Sequence, residues 1–349
     1  VMALAAAGRR DHEVTRRGVA FLVAGVRDDG SWPIDTNLST WVTTQSVEAL
    51  AHAGPLDRAD DLRAWLLDQQ HREVHPYTDS PPGGWAWTNL SGGVPDVDDT
   101  SGALIALAHL GGTPDVSRVH AALRWLVDLQ NSDGGWPTFC RGWGKLAFDR
   151  SAPDLAAHAV RAIRLWHGGY HPAKERRAVR RALDYLRRTQ QPDGAWTPLW
   201  FGNQFVMDHA NPVYGTARVL AALRDLALTH DGCARRAVTF LLDVQNDDDG
   251  WGGARDVPST LEETALAVRA LAETGCDPRC ADAVARGCRF LVDHISSGEL
   301  AKPAPIGLYF ASLWYSEKLY PVVWSVAALG SVLSGADART SRPGREKRS

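Results

Sequence analysis

The sequence predicts an all-α protein, an (α/α)6 barrel built from six tryptophan-glutamine-type helical repeats. Three observations carry that prediction: a recurring glutamine-turn-tryptophan motif, an alternation of two helix types, and the lack of any convincing strand segment. The motif reads RWLVDLQNSDGGW from Arg124 to Trp136, YLRRTQQPDGAW from Tyr185 to Trp196, and FLLDVQNDDDGW from Phe240 to Trp251. Weaker copies are FLVAGVRDDGSW from Phe21 to Trp32, without the glutamine, and WLLDQQ from Trp65 to Gln70, whose GGW ends only at Trp85. A sixth copy, RFLVDHISSGEL from Arg289, has lost both glutamine and tryptophan. The closing tryptophans at 32, 85, 136, 196 and 251 are spaced 51 to 60 residues apart, and self-similarity at a fixed period announces a repeat architecture.

Each unit holds two helix signals. The first helix ends at the glutamine, where a DGGW-type turn supplies glycine after the last helical residue. The second is richer in alanine and leucine. Its copies are VTTQSVEALAHAG from Val42, DDTSGALIALAHLGG from Asp98, DLAAHAVRAIRLW from Asp154, VYGTARVLAALRDLAL from Val213, LEETALAVRALAETG from Leu261 and VVWSVAALGSVL from Val322. These helices are apolar nearly all round, as helices buried on both sides must be. The first set carries more Arg and Asp, as an outer layer does. An open solenoid used as a binding scaffold is the competing architecture, but it wants an extended concave face. Near-six copies with a worn last repeat favour closure. The barrel is expected over residues 1–335, with Trp136, Trp196 and Trp251 between outer helices, and a disordered polar and basic tail over 336–349.

Composition narrows the function. At 349 residues the chain can bury a substantial core, and 44% hydrophobic with 23% charged residues describes an ordinary globular protein. A net charge of −3 gives no electrostatic reason to expect nucleic acid. No apolar run has the length of a membrane span, and VMALAAAGRR lacks the basic start of a signal peptide. Five cysteines without a CxxC are no disulfide scaffold. Cys276, Cys280 and Cys288 with His294 fit no familiar zinc spacing, so buried thiols in a reducing cytoplasm are expected, with no metal and no cofactor.

The chemistry concentrates before one inner helix. The loop GGWAWTNLSGGVPDVDDT delivers Asp96, Asp98 and Asp99 within four residues. Helix capping explains one of them. Three crowded acids repel, however, and crowding raises the pKa of at least one, leaving a protonated carboxylic acid near neutral pH that can protonate a substrate.

DVDDT after a glycine-aromatic loop resembles the Asp-x-Asp-Asp signature of class II terpene cyclases, and the tryptophan-glutamine repeats resemble theirs too. The likeness to squalene-hopene cyclases runs from about Thr40 to Gly330. It implies an isomerase that protonates a terminal alkene and lets a polyene close into fused rings through carbocations. By that resemblance Asp98 matches the proton donor, and Asp96 and Asp99 its flanking carboxylates. His158 in PDLAAHAV matches the histidine that hydrogen-bonds the donor and increases its acidity, and Asp154 matches that motif's leading acid. Tyr214 in NPVYGT matches a tyrosine that helps hold the donor's water network. Trp87 and Trp41 match cavity aromatics, and Tyr309 and Tyr315 in LYFASLWYSEKLYP resemble a late aromatic cluster. The roles make physical sense, because a carbocation is protected by aromatic faces at ~0.5–2 kcal/mol each and quenched by nucleophiles.

The departures from that family matter. Its members carry a second, inserted barrel, whereas this sequence runs from the helix near Phe21 through PIDTNLS straight to Trp41. The segments PTFCRGWGKLAFDRSAP and WFGNQFVMDHANPVYGT also differ from the family's loops. The leading expectation is squalene as substrate and a hopanoid-type polycycle as product, made in the cytoplasm or peripherally at a membrane. A single barrel should leave one rim open and apolar, inviting a membrane surface, a second cyclase domain or a partner chain. A class II cyclase of a C15 or C20 prenyl diphosphate would need a basic pocket, for which Arg141, Lys145 and Arg150 are candidates, although a solvated loop face explains them equally. A prenyltransferase β-subunit should show an Asp-x-Cys, and none occurs. A non-catalytic barrel that binds lipid or a protein partner is the remaining alternative.

Overall fold

A helix that is apolar on every side is stable only when neighbours cover all of it, and the inner helices meet this demand by closing a ring. The structure, a computed structural model, describes residues 1–26, 28, 30, 32, 37–113, 115–139, 146–308 and 313–340, and only the backbone at 308, 313 and 336–340. The chain divides into two compact units, Val1–Leu38 and Ser39–Ser349. The first holds α1 (Met2–Ala6) and α2 (Glu13–Ala24). In the second, α3 (Ser39–Ala53), α5 (Val97–Leu110), α7 (Pro153–Leu165), α9 (Pro212–Asp225), α11 (Leu261–Thr274) and α13 (Tyr320–Thr340) are the inner helices. Each packs on the next, and α13 returns to pack on α3. Outside them run α4 (Ala59–Asp68), α6 (Val116–Leu129), α8 (Pro172–Thr189), α10 (Gly232–Asp243) and α12 (Cys280–Ser296). The ring is closed, as an (α/α)6 barrel requires.

Three boundaries differ from the sequence reading. The barrel unit begins at Ser39 rather than at residue 1, so the helix around Phe21 belongs to a separate unit. At the other end α13 runs to Thr340, five residues into the expected tail, because SGADART keeps helical propensity where only its polarity had been weighed; residues 341–349 lie outside the described residues. Between α12 and α13, where no strand was expected, Ile306–Leu308 pairs antiparallel with Leu313–Tyr315. Two three-residue strands are too short to show a period of two in the sequence.

The repeat motif works through two hydrogen-bonding side chains. The indole N–H of Trp136 donates to Leu126 O at 2.7 Å, that of Trp196 to Leu186 O at 2.9 Å, and that of Trp251 to Leu241 O at 2.8 Å. Each tryptophan thus folds back on the outer helix that precedes it and satisfies a carbonyl at its exposed end. All three are fully buried. The glutamine amide donates twice: Gln130 to Gly134 O at 2.8 Å and to Ala178 O of the next outer helix at 2.9 Å. Gln70, Gln190 and Gln245 repeat the pattern toward Arg118, Cys233 and Ala283. An arginine three residues on closes the clasp by donating to the glutamine Oε1: Arg181 to Gln130 at 3.1 Å, and likewise Arg236 to Gln190 and Arg286 to Gln245. Gly134 has φ +99°, and a Cβ there would lie 2.4 Å from Arg181 O, so only glycine lets this turn approach α8.

The C-terminal ends of the inner helices close on a charge cluster. Arg161 donates to Glu48 at 2.7 Å and Asp225 at 2.8 Å, and Arg269 to Glu48 at 2.8 Å and Glu273 at 3.0 Å. Arg224 pairs with Asp225 and Glu273. A cavity of about 510 Å³ opens beside these groups, lined also by His52, His109 and Ser331. Among the described residues no helix is long and apolar enough to cross a membrane.

Candidate active site

The opposite rim gathers the helix N-termini, and the tryptophan turns position them. Trp85 donates its indole N–H to Leu66 O at 2.7 Å and its backbone N–H to Thr100 Oγ1 at 3.0 Å, and it accepts from Asp96 N at 3.0 Å. These bonds fix the first turn of α5 against the end of α4. Asp96 is the N-cap, its Oδ1 accepting from Asp99 N at 2.8 Å, so the capping reading holds for this one acid. Asp98 comes next, its side chain 15% exposed, and its Oδ1 meets His158 Nδ1 at 2.5 Å. Pro153 at the start of α7 presets the helical backbone, which places Asp154 in the first turn and His158 one turn further on the same face. A Cβ on Gly102 would fall 2.9 Å from Thr44 Oγ1 and 3.6 Å from His158 Cε1, so this glycine lets α3, α5 and α7 converge.

Burial dominates the electrostatics. Desolvation raises the carboxyls of Asp96 and Asp99, and their interaction with each other and with Asp98 keeps Asp99 well above the usual carboxylate range. Asp154 is pushed up to about 7, first by burial and then by the negative charge of Asp98. Burial lowers His158, with the Asp98 carboxylate opposing. Asp96 Oδ2, Asp99 Oδ1, Asp154 Oδ2 and His158 Nε2 are buried and make no hydrogen bond within the protein. The cluster therefore holds protons that isolated carboxylates would have released, and keeps polar atoms free for a further partner.

An aromatic cluster reaches the pair through Trp41. Trp41 meets His158 edge-on, with centroids 6.4 Å apart, and donates its N–H to Tyr320 Oη at 2.8 Å. Tyr214 stacks on Phe201 at 4.3 Å, Tyr320 stacks on Trp324 at 4.7 Å, and Phe201 leans on Trp41 at 5.8 Å. Tyr315 Oη lies 3.2 Å from Tyr320 Oη, and burial pushes the Tyr315 phenol up to about 12.

Of the residues expected from the sequence, the structure gathers Asp96, Asp98, Asp99, Asp154, His158, Trp41, Tyr214 and Tyr315. The ring of Trp87 meets Phe139 at 6.3 Å, which contacts Phe148 and Trp200 in turn. The Trp87 carbonyl accepts from Thr40 N and Trp41 N, which pins the start of α3. Tyr309, Arg141 and Lys145 lie outside the described residues. Phe201, Tyr320 and Trp324 were missed. Phe201 sits in a segment read only as a departure from the family's loops, and Tyr320 and Trp324 are four residues apart at the start of α13, a spacing that places two rings on one helix face.

A closed ring of six inner helices with outer helices around it, carrying a histidine-bonded acid among aromatic faces, is the arrangement of a class II terpene cyclase barrel. The chain belongs to the squalene-hopene cyclase family: that family's squalene-hopene cyclase C-terminal domain matches residues 38–333, beginning one residue before the second unit. It is 30% identical over 316 residues to a squalene–hopene cyclase of Bradyrhizobium diazoefficiens, covering 80% of this chain and 46% of that one. It is 32% identical over 308 residues to the drimenyl diphosphate synthase of Streptantibioticus cattleyicolor, covering 83% and 54%. Among solved structures it is similar to the type II terpene cyclase MstE from Scytonema, in complex with geranylgeranyl dihydroxybenzoate, with a TM-score of 0.63, 19% identity, and 91% of this chain and 95% of that one covered. The chain spans about half the length of the curated relatives it matches.

Proposed function

We propose that this barrel is the catalytic domain of a class II terpene cyclase, in which Asp98 starts the cyclisation of a polyprenyl substrate by protonation. The observation that carries the reading is the Asp98–His158 hydrogen bond of 2.5 Å, on a carboxyl that stays 15% exposed while its neighbours are buried. The Asp98 O–H proton goes to the terminal alkene carbon, whose π pair forms the new C–H bond and leaves a tertiary cation. Successive alkenes attack that cation, and loss of a proton elsewhere ends the sequence, so the product is an isomer of the substrate. The His158 Nδ1–H then holds the charge left on Asp98. The rings of Trp41, Tyr214, Phe201 and Tyr315 offer π faces to the cations, and burial shifts Asp96, Asp99 and Asp154 toward their protonated forms, which quench a cation less readily than carboxylates do.

Squalene, closing to a hopanoid-type polycycle, is the leading substrate. No redox group or metal enters the steps above. A water-insoluble polyene has to arrive from a membrane surface or a partner domain at the rim. The 32% identity to a drimenyl diphosphate synthase supports a second reading, a C15 or C20 prenyl diphosphate as substrate. Incubation with squalene, farnesyl diphosphate and geranylgeranyl diphosphate in turn, with mass-spectrometric analysis of products, decides between them. Cyclic isomers from one substrate only are expected, and none from any would return the chain to the non-catalytic, lipid-binding reading.

A further inference from the structure

The inner helices begin alike, and that shared beginning puts them in register. Trp85 bridges to Asp96, Trp136 to Ala152 and Trp251 to Thr260, so these three partners open α5, α7 and α11 at one repeat position. Thr100 Oγ1 then accepts from Trp85 N at 3.0 Å, Thr264 Oγ1 from Trp251 N at 2.9 Å and, in α9, Thr216 Oγ1 from Trp196 N at 3.0 Å. Both sets of bonds give the same alignment: Asp98 on α5, Asp154 on α7, Tyr214 on α9 and Glu262 on α11 are equivalent residues. Equivalent positions on the repeats of one ring face its axis alike. The first three belong to the site described above.

Glu262 is the fourth, and nothing in the acid site uses it. The inner helices follow one another as α3, α5, α7, α9, α11 and α13, so α11 stands opposite α5 and Glu262 opposite Asp98. Structural duty at this helix start falls to Glu263. Its Oε1 accepts from Asn203 at 3.1 Å and Asn211 at 2.9 Å, and it closes a reciprocal cap with Thr260. Glu262 is only 2% exposed, yet among the described residues it accepts a single hydrogen bond, from Ala304 N at 2.7 Å, and its Oε2 accepts none. The chain from Ala304 leads into the aromatic wall: Ile306 pairs with Tyr315, and Gly307 O accepts from Gly202 N, next to Phe201. Burial, then Glu263, pushes the Glu262 carboxyl up to about 7, where a group both accepts and returns a proton near neutral pH.

We propose that Glu262 is the catalytic base that ends the cyclisation: across the ring from Asp98, its Oε2 takes a proton from the carbon beside the last cation, and the C–H electron pair becomes the product's double bond. The proton passes on to water, water restores the proton of Asp98, and the sum is an isomerisation. A base at the donor's side would take the proton straight back from the first cation, whereas one on the opposite wall meets the far end of the folded polyene. The inference rests on the reading of Asp98 as proton donor and names the group that receives the proton lost at the end.

The test gives squalene, farnesyl diphosphate and geranylgeranyl diphosphate to the parent chain, to Glu262→Gln and to Glu262→Ala, and resolves the products by chromatography and mass spectrometry. Glutamine keeps an oxygen for Ala304 N but cannot take up a proton. In Glu262→Gln, Asp98 still starts ring closure, and the parent's main alkene falls about tenfold as a share of the products. Double-bond isomers and alcohols that have gained one water take its place, because the last cation is left to other acceptors. Glu262→Ala shifts the products in the same direction. A Gln variant with the parent's product profile would overturn the proposal, and a shift confined to the Ala variant would make the carboxylate a tether for Ala304. Loss of all turnover in a folded Gln variant would also overturn it, by placing Glu262 in the initiating step. So would failure of that variant to fold, which would assign the carboxylate to structure. A parent chain that cyclises none of the three rejects the cyclase reading and the base with it; an active parent whose products the Gln variant reproduces rejects the Glu262 assignment alone.

Discussion

Replacing Asp154 by asparagine removes a buried ionisation at nearly constant shape. Burial, then Asp98, raises this carboxyl from 3.8 to about 7. The folded protein keeps the proton almost to neutrality, whereas the unfolded chain releases it near 3.8. Between those values the native state binds more protons than the unfolded state. The contribution to stability is therefore complete below the unfolded value and is lost as pH rises through about 7. Roughly three pH units at about 1.4 kcal/mol each set the scale at about 4 kcal/mol. Asparagine cannot ionise, and the carboxyl it replaces makes one long hydrogen bond, from Leu199 N at 3.4 Å. The variant should match the parent chain near pH 4 and exceed its stability by up to about 4 kcal/mol at pH 8. Asp96, Asp99 and Glu262 are raised in the same direction and remain in both proteins, so the difference isolates Asp154. Urea unfolding followed by tryptophan fluorescence from pH 4.5 to 8 measures it. Parallel stability profiles, offset by a constant, would refute the argument, because Asp154 would then ionise alike in both states.

Asp98→Asn keeps the size of the donor and removes its transferable proton, so turnover should vanish with the melting temperature unchanged; His158→Ala should cost less, since the acid remains. Product formation measured by mass spectrometry checks both, and more than a few per cent activity in Asp98→Asn would move the donor elsewhere. Gln130→Ala leaves Gly134 O, Ala178 O and one Arg181 contact short of a partner, a loss of about 2 kcal/mol by urea unfolding. Trp41→Phe retains a ring against His158 but removes the donor to Tyr320, so stability should fall by about 1 kcal/mol while substrate turnover survives in part.

Much of this was legible in the sequence because it is local. The Gln130-to-Trp136 turn lies within seven residues, and Asp154 and His158 share a face by helical spacing alone, so period and face could both be read. Asp98 was legible from its chemistry as one of three crowded acids, and only the family resemblance singled it out from Asp96; the spacing within DVDDT does not separate the capping acid from the histidine-bonded one, which takes the position of α7. The arginine clasp was not legible. Arg181, Arg236 and Arg286 stand in helices that carry other arginines, and their contact with the glutamine spans 41 to 51 residues. The stacking of Phe201 on Tyr214 and of Tyr320 on Trp324 depends on how a loop and the last helix settle on the ring, which no local pattern encodes. Trp87, expected as a cavity aromatic, has its ring against Phe139 and its carbonyl committed to the start of α3, and neither partner can be read from the local sequence.

The Trp41–Tyr320 hydrogen bond joins residues 279 positions apart, across the seam where α13 meets α3. A chain leaving the ribosome presents Trp41, then the acids, then His158, and only much later the helix that shuts the ring. For most of its synthesis the seam edges of α3 and α11 are bare, as aggregation-prone a surface as a growing domain can expose. The order has a benefit in proportion to that risk. Asp98 and His158 meet early, but the aromatic wall against which a cation could survive is completed only with the last helix, so an unfinished chain carries an acid without a vessel.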